Sequence, residues 1–322
     1  MLQKRLYYLK HYVTPSKLYN LALNKYEARR KDIYLKSFPI DIYIEPINTC
    51  NLSCPSCITG IRHAESIPPT TLKFDKFKYI FEQCKETTVR ISLFHWGEPL
   101  INKELFLMIK YASSAKCGAV LSSNFTIFNE SMAEQAIFSK LTHIYLSIDG
   151  ATQETYEKYR RGGDISRVFE NIRILVKKKR ELKSLVPFLT WRYLVFPHNR
   201  HEIEMARQKA KELGVDNFVC AIDFGDYLIS SDKRYSGNSR ARLIPKERSC
   251  RTLWHTIVFQ ADGSVFPCCG AYRKKDSFGN AFKQTIREIW NNDNYIKMRR
   301  AFKNGQLPAG VPYPCADCHN FI

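Results

Sequence analysis

Cys50-Asn51-Leu52-Ser53-Cys54-Pro55-Ser56-Cys57 places three thiols in one short run. It follows directly on residues 40–44, Ile-Asp-Ile-Tyr-Ile, whose alternating side-chain character reads as a β-strand. The thiols therefore stand in a loop at a strand's carboxyl end. Pro55 argues against a regular helix whose cysteines merely face a core. A cubane iron–sulfur cluster has four irons, each normally holding one thiolate. Three closely spaced thiolates can hold three irons and leave the fourth open to a substrate or cofactor. A zinc site is the competing reading: it needs four ligands, and His63 stands near enough in sequence to be the fourth.

Outward from this loop the chain keeps a strand–helix rhythm. Phe77, Ile80, Phe81 and Cys84 mark one helix face, and residues 89–94 a second strand. Leu105, Met108, Ile109 and Ala112 mark the next helix. Strands are expected at 119–122, 143–148, 188–196 and 218–222, with helices at 130–139, about 165–183, and from Ile203 to a stop at Gly214. Alternation of this kind implies parallel pairing through right-handed crossovers. Six units make an α/β fold of the partial (β/α)6 barrel type, two short of a closed barrel, with chemistry at the carboxyl ends of the strands. The rhythm stops after residue 225. Residues 39–225 are read as the core, 226–247 as a polar linker, and 248–322 as a small C-terminal domain with strand signals around Ala261-Asp262-Gly263 and a helix near 285–303.

Further motifs close successive strands: Phe94-His95-Trp96-Gly97-Glu98-Pro99 on the second, Ser123-Asn124 on the third, Ser147-Ile148-Asp149-Gly150 on the fourth, then Tyr159-Arg160-Arg161-Gly162. With the C-x3-C-x2-C loop, this order resembles the radical S-adenosylmethionine (SAM) superfamily over residues 40–320. The resemblance implies a SAM-binding [4Fe-4S] cluster on Cys50, Cys54 and Cys57. It implies that the turn Trp96, Gly97, Glu98 and Pro99 holds the cofactor's amino group. It places Asn124 in the third-strand turn, Ser147 and Asp149 near the ribose and carboxylate, and Arg160 within reach of the carboxylate. Three positions depart from the family pattern: Ser56 stands where an aromatic residue shields the adenine, Trp96 where the turn has its first glycine, and Ser123 where the third-strand turn has threonine.

A second cysteine set lies C-terminal: Cys250, then Asp262-Gly263-x4-Cys268, then Cys315-Ala-Asp-Cys318. Four thiolates suit either a fully ligated cubane or a structural zinc. The pattern resembles the shortened SPASM (twitch) domain, a small iron–sulfur domain with one auxiliary [4Fe-4S] cluster, and its spacing is similar to that of aminocyclitol-oxidising radical dehydrogenases. Cys269 is an alternative to Cys268 as ligand. Of the remaining cysteines, Cys84 reads as core packing and Cys117 as part of a turn. Cys220, near the carboxyl end of the sixth strand, is a candidate hydrogen-atom donor, as in the family's epimerases; most buried cysteines are inert.

Composition bounds the setting. The 322 residues contain 44% hydrophobic residues, enough for a sizeable core, and no apolar run long enough to span a membrane. The N-terminus lacks the apolar stretch of a secretory signal. A cytoplasmic protein is expected, where thiols stay reduced and eleven cysteines point to metal ligation or catalysis. The formal charge is +19. Residues 1–38, a basic helical extension with Thr14 capping and Pro15 in the first turn, hold nine Lys and Arg against Glu27 and Asp32. A basic surface suits a solvated face, an acidic flavodoxin- or ferredoxin-like reductant, a phosphorylated small molecule, or peripheral membrane contact through the extension. No strand interleaves aromatic and basic residues, so nucleic acid is not expected. The expected activity is reductive cleavage of SAM to a 5′-deoxyadenosyl radical that abstracts a substrate hydrogen. The outcome favoured is net oxidation or bond formation on a sugar, cyclitol or nucleotide sugar. A ribosomal-peptide maturase (crosslink or epimer) and, in another class, a basic zinc or iron–sulfur protein that binds nucleic acid are the alternatives.

Overall fold

The computed structural model describes residues 2–62, 68–222, 250–271, 273–305 and 315. His63, Cys318 and the expected linker 226–247 lie outside the described residues. Six strands run parallel in chain order: β1 (Asp41–Ile44), β2 (Arg90–Ser92), β3 (Gly118–Ser123), β4 (His143–Ser147), β5 (Phe188–Val195) and β6 (Asn217–Ile222). The helices between them are α3 (Ile58–Arg62), α4 (Phe74–Glu82), α5 (Leu105–Ser114), α6 (Glu130–Phe138), α7 (Gln153–Tyr159), α8 (Ile165–Glu181) and α9 (Ile203–Glu212). This is the expected mixed α/β, partial-barrel order. The helix-facing side of the sheet buries one continuous core, with Ile42 and Ile44 on β1, Ile91 on β2, Leu121 on β3, Leu146 on β4 and Trp191 on β5. Alternate residues therefore face the concave side, the lumen: Asp41, Tyr43, Arg90, Tyr145, Ser147 and Arg192 are all only partly buried.

The C-terminal region is joined to this sheet. β7 (Thr256–Phe259) pairs parallel with β1 along its whole length, Asp41 opposite Thr256 through Ile44 opposite Phe259. β8 (Ser264–Phe266) and β9 (Gly279–Asn280) continue it antiparallel, giving one nine-stranded sheet. Ala261-Asp262-Gly263 is thus the turn between β7 and β8, with the expected strands on either side of it. Gly263, at φ +83°, takes the left-handed conformation that a side chain resists. Helices α10 (Thr252–His255), α11 (Ile286–Trp290) and α12 (Asp293–Asn304) pack on this extension. The single expected helix near 285–303 is two, broken at Asn291-Asn292, with Asn292 capping the second.

Residues 1–38 form two helices, α1 (Leu2–Tyr12) and α2 (Pro15–Arg30), laid across the amino-terminal ends of the strands. The Tyr8 hydroxyl meets Thr142 Oγ1 at 2.6 Å, just before β4, and Tyr7 packs on Phe188 at the start of β5. Lys17 Nζ donates to Ala115 O at 3.1 Å, before β3. Asn24 Nδ2 donates to Trp254 O at 2.7 Å, before β7. Thr14 caps α2 as expected, accepting from Lys17 N. The buried face is the surprise: Lys17, Asn20, Asn24 and Glu27 point inward, whereas Leu18, Tyr19 and Tyr26 are exposed. The loops beneath α2 present carbonyl oxygens and N–H groups, and a buried polar face is tolerated when each group finds such a partner. Glu27, for example, accepts from Lys36 N, Ser37 N and Ser37 Oγ.

Candidate active site

The loop after β1 carries the three thiols into one patch. Cys54 is buried with Leu52, Tyr159 and Phe196, and Cys50, Cys57 and Leu194 pack against them. The loop is held tightly. Cys57 N donates to Cys54 O at 3.1 Å, and Ser53 N to Arg161 O at 3.2 Å. A Cβ at Gly60 would fall 2.2 Å from Cys54 O, so the start of α3 comes too close for any side chain there. None of the three is in a disulfide. Burial pushes the Cys50 thiol up to about 12, with Glu98 adding to it, and also raises Cys54, which Arg160 opposes.

Three N–H groups aim at sulfur. Leu52 N lies 3.4 Å and Asn124 Nδ2 3.7 Å from Cys50 Sγ; Arg160 Nη1 lies 3.9 Å from Cys54 Sγ. Such donors stabilise thiolate and cluster sulfur. Among the described residues no three His, Cys, Asp or Glu side chains converge on a point suited to one metal ion. A cubane spreads its thiolates over separate corners and asks for a looser grouping. The three free thiols and their N–H donors fit an iron–sulfur cluster.

The other sequence-predicted residues surround this patch, several in roles that differ from expectation. Glu98 is buried and its carboxylate accepts three hydrogen bonds from protein. Oε1 accepts from Ser123 Oγ (2.8 Å) and Leu100 N (3.1 Å), and Oε2 from Asn124 N (2.8 Å). Burial pushes it up to about 7 against these bonds. Glu98 thus rivets the turn after β2 to the turn after β3, while Glu98 N reaches Thr49 O at 2.9 Å. Gly97 is obligatory by contact: a Cβ would meet Ile47 O at 2.0 Å. Trp96 N donates to Glu45 Oε1 (3.2 Å) and Trp96 O accepts from Thr59 Oγ1 (2.8 Å); Pro99 opens a short 3-10 turn. Asn124 braces Asn51, donating to its Oδ1 at 3.0 Å.

Asp149 is fully buried, accepting from Arg160 Nε at 2.6 Å and Leu194 N at 2.7 Å. Its oxygens hold Arg160 and β5 in place. Burial works against the Arg160 guanidinium, but Asp149 and Cys54 outweigh it and keep the charge. Ser147 Oγ pairs with Ser122 Oγ at 3.1 Å. At the departure noted above, Ser56 Oγ meets the Tyr159 hydroxyl at 3.3 Å, so an aromatic ring stands beside position 56 after all.

Cys220 does not join the site. It pairs in register with Tyr193 and shares a face with Phe218, both on the helix side of the sheet, and it is exposed beside Arg207 and Glu204 of α9. The side-chain alternation of β6 turns it away from the lumen, against the expected hydrogen-donor role.

Sequence reading missed Asn199, the buried residue that links Asp149 O (3.0 Å) and Leu194 O (2.8 Å) while accepting from Phe196 N (2.7 Å). Its only signal was an ordinary turn asparagine. It also missed Glu45 and His95, whose side chains lie 3.6 Å apart and are nearly solvent-free.

In the C-terminal set, burial pushes Cys268 up to about 12, with Cys269 and Cys250 contributing. Cys268 and Cys250 both act on buried Tyr295. Cys269 instead faces Arg192 and Asp41, and its carbonyl pairs with His95 Nε2 at 3.1 Å. Cys315 is buried in the main core. The turn that carries Trp96 and Gly97 thus touches the C-terminal cysteine loop directly.

The radical SAM superfamily model matches residues 44–220, and the SPASM iron–sulfur cluster-binding model matches residues 250–319. Together these domains imply SAM and [4Fe-4S] clusters as cofactors. An AdoMet-dependent heme synthase of Methanosarcina barkeri is 28% identical over 51% of this chain, which spans 45% of that relative's length. A PqqA peptide cyclase of Xanthomonas oryzae is 22% identical over 87% of this chain and 80% of its own. Among solved structures, Streptococcus suis SuiB bound to S-adenosylmethionine aligns with a TM-score of 0.62 at 16% identity, over 88% of this chain and 70% of SuiB.

Proposed function

The chain belongs to the radical SAM superfamily, and from that premise we propose that Cys50, Cys54 and Cys57 hold its SAM-binding cluster. Cys250, Cys268, Cys315 and Cys318 hold the auxiliary one. Cys268 is preferred to Cys269 because it lies on the side of Cys250. When bound, SAM and the clusters supply a hydrogen-abstracting 5′-deoxyadenosyl radical and a one-electron acceptor. The protein's part is to position and shield. Arg160, fixed by Asp149, presents a charge to the cluster edge and to the cofactor carboxylate. Gly97 lets the backbone after β2 approach closely, and Glu98 stiffens that turn. Trp96, Pro99, Asn124 and Ser147 complete the wall.

The substrate we favour is a compact polar molecule such as a sugar, cyclitol or nucleotide sugar, undergoing net oxidation or electron-losing bond formation. The supporting observation is the polar lumen, whose concave side carries Asp41, Tyr43, Arg90, Tyr145, Ser147 and Arg192. Tyr8, which burial pushes up to about 12, lies at the amino-terminal end near Arg90 and Tyr145. Arg192 offers positive charge to a phosphate or hydroxyl-rich ligand, whereas Arg90 is paired with Asp41 at 3.6 Å. An acidic flavodoxin- or ferredoxin-like protein is the proposed reductant.

A second reading, maturation of a peptide, is favoured by the similarity to the PqqA peptide cyclase across most of both chains. Anaerobic reconstitution with iron, sulfide, dithionite and SAM tests the premise: 5′-deoxyadenosine forms, and Cys54→Ala abolishes it. Undiminished release from that variant overturns the ligand assignment. Faster release with cyclitols or sugar phosphates than with peptides supports the small-molecule reading; the reverse replaces it with the peptide reading.

A further inference from the structure

A helix normally docks its apolar face and leaves charge to solvent. α2 does the opposite, and α1, which docks Tyr7, Tyr8 and Tyr12 inward, still leaves Leu6 and Leu9 outside. Of the twelve large apolar side chains exposed among the described residues, six lie within the first 34 positions, including Leu9 at 60% and Tyr19 at 70%. The outward stripe of α2 carries Leu18, Ala22 and Tyr26 at helical spacing, with Lys25, Arg29 and Arg30 beside them. Its acid, Glu27, is turned inward, and α1 has no acid at all. The inward contacts of α2 include hydrogen bonds that Lys17, Asn20 and Asn24 donate and Glu27 accepts, and its exposed leucine and tyrosine take no part in them.

Leucines can enter an acyl layer, tyrosines sit at headgroup depth, and long basic side chains reach phosphates. We propose that the outer face of α1 and α2 docks on an anionic bilayer surface. Charge complementarity selects this occupant: the face is basic and acid-poor, as is the whole 1–38 segment. Arg30 is in part neutralised by Asp32 at 3.3 Å, so Lys25 and Arg29 carry more of the attraction. Because α1 and α2 underlie the amino-terminal ends of the strands, the bilayer lies beneath the lumen floor and the cysteine loop faces away from it.

The test is sedimentation of the full-length reconstituted protein with vesicles, either equimolar phosphatidylcholine and phosphatidylglycerol or phosphatidylcholine alone. Binding to the anionic vesicles only is expected. Lys25→Gln and Arg29→Gln should each lower the partition about fivefold, the effect of about 1 kcal/mol per basic residue. Leu18→Ser with Tyr19→Ser should lower it at least as much while leaving the thermal midpoint unchanged. Three outcomes overturn the proposal: equal binding to both vesicles, wild-type binding by the serine double variant, or no vesicle binding together with self-association that the double variant abolishes. The last would make the occupant a second copy of this chain.

Discussion

Asp149 and Arg160 test how the site is held. The pair is almost solvent-free, and removing one member of a buried pair leaves the other charge uncompensated. Asp149→Asn should destabilise the protein by about 3–5 kcal/mol in urea unfolding and weaken cluster retention, seen as lower absorbance near the cluster band. A change below about 1 kcal/mol would mean that Arg160 is held by something else. Glu98 gives a pH test. Its folded pKa of about 7 stands above the unfolded value of 4.5, chiefly through burial. The folded state therefore binds more protons between these values, and stability falls as pH rises through that window. Glu98→Gln should flatten the decline, on the order of 3 kcal/mol, between pH 4.5 and 7 in apoprotein urea titrations. An unchanged slope would refute the buried-acid reading. The sequence carried the positions of these residues but not their partners. The family resemblance placed Glu98 in the turn that holds the cofactor's amino group, and its bonds to Ser123, Asn124 and Leu100 are a further role. Such bonds depend on where two distant turns meet, and no local pattern records that.

Elements with a strong period were legible. Strands β1 to β6 and the helices from α4 to α9 that pack on them fall close to the expected ranges, α7 aside, because apolar alternation of period two or near 3.6 records a single buried face. α2 was legible in extent but inverted in orientation, since the rule that apolar side chains turn inward has an exception wherever hydrogen bonds satisfy every buried polar group. That exception is testable. Asn24 bonds Trp254 O, Ser37 Oγ and His255 Nδ1. Asn24→Leu should therefore cost about 1–3 kcal/mol, whereas Leu18→Asn on the exposed side should cost less than about 0.5 kcal/mol. Equal costs from chemical denaturation would contradict the inverted orientation. Cys220 shows the same limit for a strand: its position near the carboxyl end was right, and one step of side-chain alternation separates the lumen from the helix layer.

At the scale of the molecule, the core and the C-terminal region share secondary structure. β7 lies in the sheet beside β1, and residues from both regions share one core. Calorimetry of the apoprotein should show one transition over residues of both regions; two resolved transitions would indicate independent units. Sequence could not reveal the join, because a four-residue strand buried on both faces has no period of its own.

The pairing of β7 with β1 also sets a distance. The strand that leads into the first thiol loop and the strand that leads to Cys268 are laced by backbone hydrogen bonds, and His95 ties the neighbouring turn to Cys269. Electron tunnelling between redox centres mounted on those loops would cross a span of fixed length. No hinge lies along the laced strands to lengthen it, so the transfer rate should be indifferent to solvent viscosity.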